Sequence, residues 1–177
     1  MAGQASEVAH DVGTLSLPIA DCVYSQRGRD AIQNAKQHVG HQYMLTMDIR
    51  DCYPSVTVAL VKRSLERAGF NRPVAALITK LVTYHGRLPQ GAITSAAILN
   101  CVLADVGEEL LSFACGHSVT YTRFVDDLCF SGSQPVRTIR RLVRRVLGRC
   151  GFEVSFQKTR SVGPQDLKIV TGLAVSG

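Results

Sequence analysis

Hydrophobic residues occur along this chain in short runs and in helical stripes, which predict strands and helices respectively. Residues 43–47 are apolar apart from Thr46, and this run predicts a buried strand. Two further segments, 119–124 and 128–130, carry apolar residues that suit strands, and an acidic pair lies between them. These segments predict a β-hairpin with the acids at its tip. Additional strands are expected near 152–156 and 167–171.

Helical patterns fill most of the intervals between these strands. Val58, Val61 and Leu65 recur at helical spacing, and Pro73 opens the next helix in its first turn. The predicted helices cover residues 29–39, 55–68, 73–84, 94–115 and 136–150. Helices that alternate with a hairpin-bearing sheet predict an α+β fold of the ferredoxin-like kind.

Composition limits the class of protein without naming a function. A chain of 177 residues, 46% of them hydrophobic, can bury one core, so one domain is expected. The formal net charge of +6 favours a polyanionic partner. No apolar run approaches the roughly 20 residues that cross a bilayer, and the amino terminus lacks the basic and apolar stretches of a leader. We therefore expect a soluble, cytoplasmic protein with no membrane partner.

The six cysteines give no metal-binding spacing. They are Cys22, Cys52, Cys101, Cys115, Cys129 and Cys150. No Cys-x-x-Cys pair occurs, and most of the cysteines lie in apolar segments, so we interpret them as reduced core residues rather than as zinc ligands.

Three carboxylates form the candidate catalytic centre. Asp126 and Asp127 occupy the hairpin tip, where their mutual repulsion favours a bound divalent cation, and Asp48 follows the strand 43–47. Taken alone, an Asp-Asp pair is also ordinary turn chemistry. Three such side chains can bind two metal ions roughly 4 Å apart, as in phosphoryl transfer. We therefore expect nucleotidyl transfer with two Mg²⁺ ions, for which Mn²⁺ can substitute. Arg123, beside the hairpin tip, is a candidate counter-charge and not a catalytic group.

The predicted helix 136–150 carries a separate basic surface. Its apolar residues form a core stripe, and its other face has arginines and no acid. Such faces are usually only solvated, but charge of a single sign favours contact with phosphate groups. The residues expected to contact nucleic acid are Arg137, Arg141, Arg144 and Arg145.

Five segments follow one another in an order that is typical of one polymerase family. They are Asp48 with Tyr53, LPQGAITSA at 88–96, FVDD at 124–127, GFEVSFQKTR at 151–160 and VTGLAV at 170–175. On these segments, from about residue 23 to residue 175, the chain resembles the reverse transcriptases. NAKQH at 34–38 and Val-Thr-Gly at 170–172 are similar to signatures of the bacterial retron type.

The resemblance implies a polymerase palm with part of the fingers over residues 23–177, after an irregular lead-in over residues 1–22. It covers little of the basic fingers segment and none of the thumb of that family. We therefore expect the chain alone to bind RNA or a primer–template duplex weakly and in a salt-sensitive way, and to extend primers poorly or not at all. Ile93 and Ala96 stand where the family usually has proline, and Cys52 replaces a common aromatic residue.

The resemblance also implies roles at the substrate site. Ile49 would accompany Asp48 at the metal and nucleotide site. Tyr53 would place its ring against the sugar 2′ position and so exclude ribonucleotides, although a tyrosine in the core remains an alternative. Gln90 and Gly91 would let the backbone approach the nucleotide and template closely, which glycine permits at little cost.

Other residues take roles farther from the acids by the same resemblance. Lys158 would lie near the triphosphate as a positive charge or proton donor, with a surface lysine as the alternative. Thr171 and Gly172 would help to read a structured RNA. Asn34 and His38 lie one helical turn apart, and a packed, hydrogen-bonded pair is favoured over a catalytic one.

The function implied by the resemblance is RNA-directed DNA polymerase activity of a retron-like kind. Its partners would be an RNA template, a DNA primer or product and a structured non-coding RNA, with a protein effector or complementing fingers and thumb as further partners. A non-catalytic RNA-binding or scaffold module is the alternative from another class. An RNA-copying polymerase is disfavoured by Tyr53, because such an enzyme must admit the 2′-hydroxyl.

Overall fold

A four-stranded antiparallel sheet forms the centre of the computed structural model, which describes residues 22–175. Its strands are β1 (Tyr43–Ile49), β2 (Thr120–Phe124), β3 (Asp127–Gly132) and β4 (Val154–Val162), in the spatial order β2-β3-β1-β4. The predicted strand near 43–47 and the predicted hairpin are therefore both present. The lead-in expected over residues 1–22 lies almost wholly outside the described residues.

Seven helices and a small second sheet complete the described part of the chain. The helices are α1 (Ala31–Lys36), α2 (Cys52–Ser55), α3 (Val58–Arg67), α4 (Arg72–Val82), α5 (Ser95–Val102), α6 (Ala104–Gly116) and α7 (Ile139–Arg149). The second sheet pairs β5 (Ile169–Val170) with β6 (Leu173–Ala174). Helices with an antiparallel sheet confirm the predicted α+β class.

The single helix expected over residues 94–115 was wrong, because the chain forms two helices there. Leu103 ends α5 and precedes α6, with φ −92° and ψ 8° that leave the helical range. Its side chain is fully buried. No glycine or proline stands at this break, so packing of Leu103 into the core overrides a continuous local helical pattern.

Other element ends moved because of capping and pairing. Asp30 and Thr57 cap α1 and α3 by accepting hydrogen bonds from backbone N–H groups, so both helices begin later than their apolar patterns suggested. β4 continues well beyond residue 156 because it pairs with β1 from Ile49 back to Met44. The strand expected near 167–171 is reduced to the two residues of β5.

The sheet has two faces of opposite character. Leu45, Met47 and Ile49 of β1 point to one face, here called the helix face, where they pack in the main core with residues of α3, α5, α6 and α7. The opposite face is called the open face. It carries Met44 in a small cluster with residues of α1 and β5, and its alternate β1 positions include Asp48. Strand alternation therefore separates the helix face, which is buried in the core, from the open face, which is polar and only partly covered.

Two composition-based expectations can be compared with this architecture. Among residues 22–175 no cysteine forms a disulfide bond, as expected, but Cys115 is exposed on α6 because it follows the inward-facing Ala114 by one position. Within residues 22–175, no helix is long and apolar enough to cross a membrane. The cytoplasmic location stays a prediction.

Candidate active site

The three carboxylates predicted from the sequence meet at one end of the open face. Asp48, near the end of β1, lies directly opposite Asp127, the first residue of β3. Asp126 occupies the turn just before β3. Ligand oxygens of all three lie within 4.8 Å of one another. Adjoining strand ends therefore gather acids that are far apart in sequence.

The backbone of the hairpin turn holds this arrangement. The Ile49 N–H donates a hydrogen bond of 3.0 Å to the Asp126 carbonyl, which ties the turn to the end of β1. Val125, the other turn residue, has φ 57°, which a β-branched residue rarely adopts. Strained residues of this kind persist when surrounding contacts determine them, and they cluster at functional sites.

Arg123 lies beneath the turn and is fully buried. Its Nη1 donates a hydrogen bond of 2.8 Å to the Val125 carbonyl, the residue with the strained φ. Within residues 22–175, its Nε and Nη2 have no hydrogen-bond partner and no carboxylate forms an ion pair with it. Burial lowers the pKa of the guanidinium, although Arg remains charged in proteins. Arg123 thus supports the turn and places a positive charge behind the acids without pairing with them.

The electrostatics of the acids favour a bound cation. Burial raises the pKa of Asp127 to about 6, and repulsion from Asp126 and Asp48 adds to the shift. Burial is also the largest cause of the raised pKa of Asp126. A cation close to these carboxylates would lower both pKa values again by favouring the charged forms.

Lys158 reaches the acids from an irregular part of β4. The pairing of β4 with β1 shifts register between Thr46 and Asp48, so several β4 residues lie opposite a short stretch of β1. From this bulge, Lys158 Nζ donates a hydrogen bond of 3.0 Å to Asp48 Oδ2. This contact is the main cause of the raised pKa of Lys158. Its ammonium group therefore lies where a cation is favoured.

The acidic cluster fits a divalent metal ion. Carboxylate oxygens are the hard ligands that Mg²⁺ prefers. Among the described residues, Asp48, Asp126 and Asp127 form the only group of three or more His, Cys, Asp or Glu side chains with suitable spacing. The Ile49 side chain is buried in the core of the helix face, so it has no ligand to offer. If Ile49 contributes to a metal site, it does so through its carbonyl oxygen.

Of the residues expected around a nucleotide, Tyr53 lies near enough to Asp126 to be affected by its charge. Tyr53, in α2, packs partly against the main core. Its pKa is raised mainly by burial and, to a smaller extent, by the negative charge of Asp126. Gln90 and Gly91 form an exposed turn, and Gly91 has φ +88°, which glycine adopts readily. The Leu88 N–H donates to the Val56 carbonyl at 3.1 Å, which anchors this turn just after α2.

A cleft of about 370 Å³ extends along the open face from Asp127. Asp127 and Lys158 line one part of it, and Thr171 and Gly172 line another. Thr171 and Gly172 form the turn between β5 and β6, with φ 47° and 83°. Asn34, which is buried with its Oδ1 unpartnered among residues 22–175, also lines the cleft. The structure therefore joins the Val-Thr-Gly segment to the acidic site.

The arginines predicted to contact nucleic acid do not join the acidic cluster. Arg137 precedes α7, and Arg141, Arg144 and Arg145 lie on the exposed side of that helix. The buried side of α7 packs on the helix face. These four arginines form a separate surface of the molecule.

His38 clamps the acid-bearing hairpin, a role that sequence reasoning missed. Its Nδ1 lies 2.6 Å from Ser131 Oγ on β3, and its Nε2 lies 2.7 Å from Thr122 Oγ1 on β2. Burial lowers the pKa of His38 to about 4, so it is neutral near pH 7. The alternation that places Thr122 and Ser131 on the open face was the only sequence signal for these contacts.

Comparison with known proteins identifies relatives of most of the chain. The family model for "Reverse transcriptase (RNA-dependent DNA polymerase)" matches residues 11–170. The retron Mx65 reverse transcriptase of Myxococcus xanthus is 36% identical over 169 residues, covering 84% of this chain and 40% of that protein. The retron Ec86 reverse transcriptase of Escherichia coli is 28% identical, covering 85% and 48% respectively. The chain thus spans less than half the length of these curated relatives.

Solved structures share the fold at low sequence identity. The telomerase of Candida albicans, in complex with a fragment of telomeric RNA, matches with a TM-score of 0.65 and 11% identity. The match covers 87% of this chain and 34% of that one. The palm-like α+β fold expected from the sequence is therefore confirmed.

Proposed function

The chain belongs to the reverse transcriptase family, with retron enzymes among its relatives, and we propose that it acts as an RNA-directed DNA polymerase. The reaction would add deoxynucleotides to a primer by nucleotidyl transfer at the acidic cluster. The observation that carries this proposal is the approach of Asp48, Asp126 and Asp127 to within 4.8 Å at adjoining strand ends. Family membership and the likeness to retron enzymes are as the sequence motifs predicted.

We propose that these three carboxylates hold two Mg²⁺ ions, with Mn²⁺ as a functional substitute. Three acids provide enough oxygen ligands to share between two ions. Burial, with repulsion between the acids, raises the pKa values of Asp126 and Asp127, and a bound cation would offset both effects. When bound, such ions stabilise the attacking and leaving oxygens of an in-line displacement.

The protein groups around the acids would orient the reactants. Lys158 already contacts Asp48, and from its flexible side chain the ammonium group can instead meet a triphosphate or protonate the leaving pyrophosphate. The Tyr53 ring, half-buried beside Asp126, would restrict space at the sugar 2′ position. The exposed Gln90-Gly91 turn would bring backbone close to the base pair that is forming.

The nucleic acid would run through the cleft on the open face. Its proposed partners are an RNA template and a DNA primer or product, and Thr171 and Gly172 would contact a structured RNA. Support for this path comes from the cleft, which joins the acids to those two residues. A protein effector, or fingers and thumb supplied by another chain, remains part of the same proposal, as does a cytoplasmic location.

The proposal is tested by primer extension on an RNA template with deoxynucleotides and Mg²⁺. The 177-residue chain is compared with a fusion that adds the remaining segments of a retron relative. Extension by the fusion, lost on Asp126→Asn, is the expected result. If the fusion binds the primer–template but the parent and Asp126→Asn are equally inactive, the non-catalytic RNA-binding module would be the better account.

A further inference from the structure

Phe156 is an exposed aromatic residue beside the arginine surface of α7. It lies in the bulge of β4, and 63% of its surface is exposed, an unusual state for a large apolar side chain. The guanidinium carbon of Arg144 lies 4.9 Å from the centre of its ring. This contact joins an aromatic platform to a positively charged helix.

The arginines beside this ring are uncompensated. Arg137, Arg141 and Arg145 are exposed, and within residues 22–175 none of them lies within ion-pair distance of a carboxylate. Arg149, at the far end of α7, is by contrast paired with Glu109. Within α7, Arg141 and Arg145 are four residues apart, so their backbone positions are separated by about 6 Å along the helix axis. Such a row presents unpaired positive charge to a polyanion.

The surface also follows the outer edge of β4. Near its start, Arg137 borders a recess of about 200 Å³ together with Tyr43 and Ser161. Farther along α7, Arg144 reaches Phe156, which is two residues before Lys158 in the same strand. A strand of nucleic acid that follows the arginines would therefore pass Phe156, which lies in the same bulge of β4 as Lys158.

We propose that the arginine face of α7 and the ring of Phe156 form a platform for single-stranded nucleic acid, with one base stacked on Phe156 and phosphates on the arginines. Stacking on an exposed ring is available to any base, and a stripe of arginines binds the backbone without regard to sequence. This inference rests on the proposed function, which supplies a single-stranded RNA for the platform to hold.

Binding of a labelled oligouridylate RNA, followed by fluorescence anisotropy, tests the platform. Every variant is made in the 177-residue chain carrying Asp126→Asn, so no outcome depends on turnover. Phe156→Ala is expected to weaken binding about tenfold with an unchanged salt dependence, and Phe156→Tyr to retain affinity. Arg144→Gln is expected to reduce the slope of log affinity against log salt by about 0.7.

Matched controls lie on two other helices, α3 and α4. Leu81→Ala removes an exposed apolar side chain from α4, and Arg63→Gln removes an exposed charge from α3. Neither is expected to change binding. Each of three results would overturn the platform. Phe156→Ala could bind the oligouridylate as tightly as its parent, or it could lose as much affinity for an RNA duplex of the same length. Polyglutamate of matched charge could also compete as well as the RNA does. Failure of the platform would leave the proposed polymerase chemistry standing, because catalysis is not measured here.

Discussion

The helix face and the open face of the central sheet are built from the same strands but meet different physical demands. On the helix face, Leu45 and Phe130 are completely buried among apolar residues. On the open face, the alternate positions end in Asp48 and Asp127, which face each other across the two strands. The period of two residues in a strand therefore lets one backbone serve a core and a charged site at once.

The energetic consequences of the two faces have opposite sign. Burial of apolar surface on the helix face stabilises the fold by roughly 25 cal/mol per Å². Clustering of three acids on the open face works against folding, since burial and repulsion raise the pKa values of Asp126 and Asp127. A variant of the open face should therefore lose activity without losing stability, and a variant of the helix face should do the reverse.

The largest expected effect is on the open face. Asp48→Asn, made in the fusion with the segments of a retron relative, should reduce deoxynucleotide incorporation by about a thousandfold or more. The change removes a proposed metal ligand worth several kcal/mol in the transition state. Its unfolding free energy should stay equal to that of the parent or rise, since one repelling charge is gone. Extension rates and thermal melting measure the two effects. Asp51→Asn, which changes an exposed acid just after β1, serves as control, and activity that survives Asp48→Asn would remove Asp48 from the site.

The next effect concerns the helix face. Phe130 is fully buried and stacks on Tyr121, with ring centres 4.7 Å apart. Phe130→Ala should lower the free energy of unfolding by about 3–5 kcal/mol, the usual cost of such a truncation. Phe156→Ala, at an exposed position of the same sheet, should change it by less than about 0.5 kcal/mol. Denaturant unfolding distinguishes the two, and similar losses for both would mean that the two phenylalanines do not differ in burial.

A smaller effect tests Tyr53, which lies between the core and the acids. Tyr53→Ala should raise incorporation of ribonucleotides relative to deoxynucleotides by about tenfold, because a steric clash is removed. Tyr53→Phe keeps the ring and should keep the parent selectivity. Competition between the two nucleotide types in one extension assay measures the ratio. An unchanged ratio in active Tyr53→Ala would assign the residue to the core alone.

The smallest expected effect is on pH dependence. Asp127 has a folded pKa of about 6, above the ordinary value for Asp, so the folded protein binds a proton more readily than the unfolded chain between pH 4 and 6. At pH 7 the charged Asp127 carboxylate therefore lowers the free energy of unfolding, and this penalty disappears as the carboxylate is protonated below about pH 6. Without divalent metal, the parent should therefore gain stability from this group on acidification. Asp127→Asn should lack that component, and identical pH profiles of the two proteins would contradict the raised pKa.

Most of the difference between the two faces could be predicted from the sequence, because it depends on local residue patterns. Apolar alternation in β1 and the acids flanked by strand residues were enough to predict the strand, the hairpin and a shared site for Asp48, Asp126 and Asp127. Element type followed from residue periodicity, and the acids could be grouped because their strands pair in one sheet.

Features set by tertiary contacts could not be predicted in the same way. No local pattern marks the break at Leu103 or the bulge that brings Lys158 to Asp48. Arg123 is the clearest case, because a charged residue in a strand normally indicates an exposed position. Its burial depends on contacts with the turn at Val125 and with the backbone of Cys22 and Tyr24.

Metal binding tests the contrast between the two faces most directly. Mn²⁺ binding to the 177-residue chain can be followed by electron paramagnetic resonance at neutral pH, with Mg²⁺ as competitor. The parent should bind Mn²⁺, and Asp126→Asn should weaken binding about tenfold or more. Asp51→Asn is a matched control, because Asp51 is an exposed acid just after β1. Its backbone is in the left-handed conformation, which asparagine also tolerates. Weaker binding by Asp126→Asn alone is the predicted result, and equal Mn²⁺ affinity in all three proteins would contradict an acidic metal site on the open face.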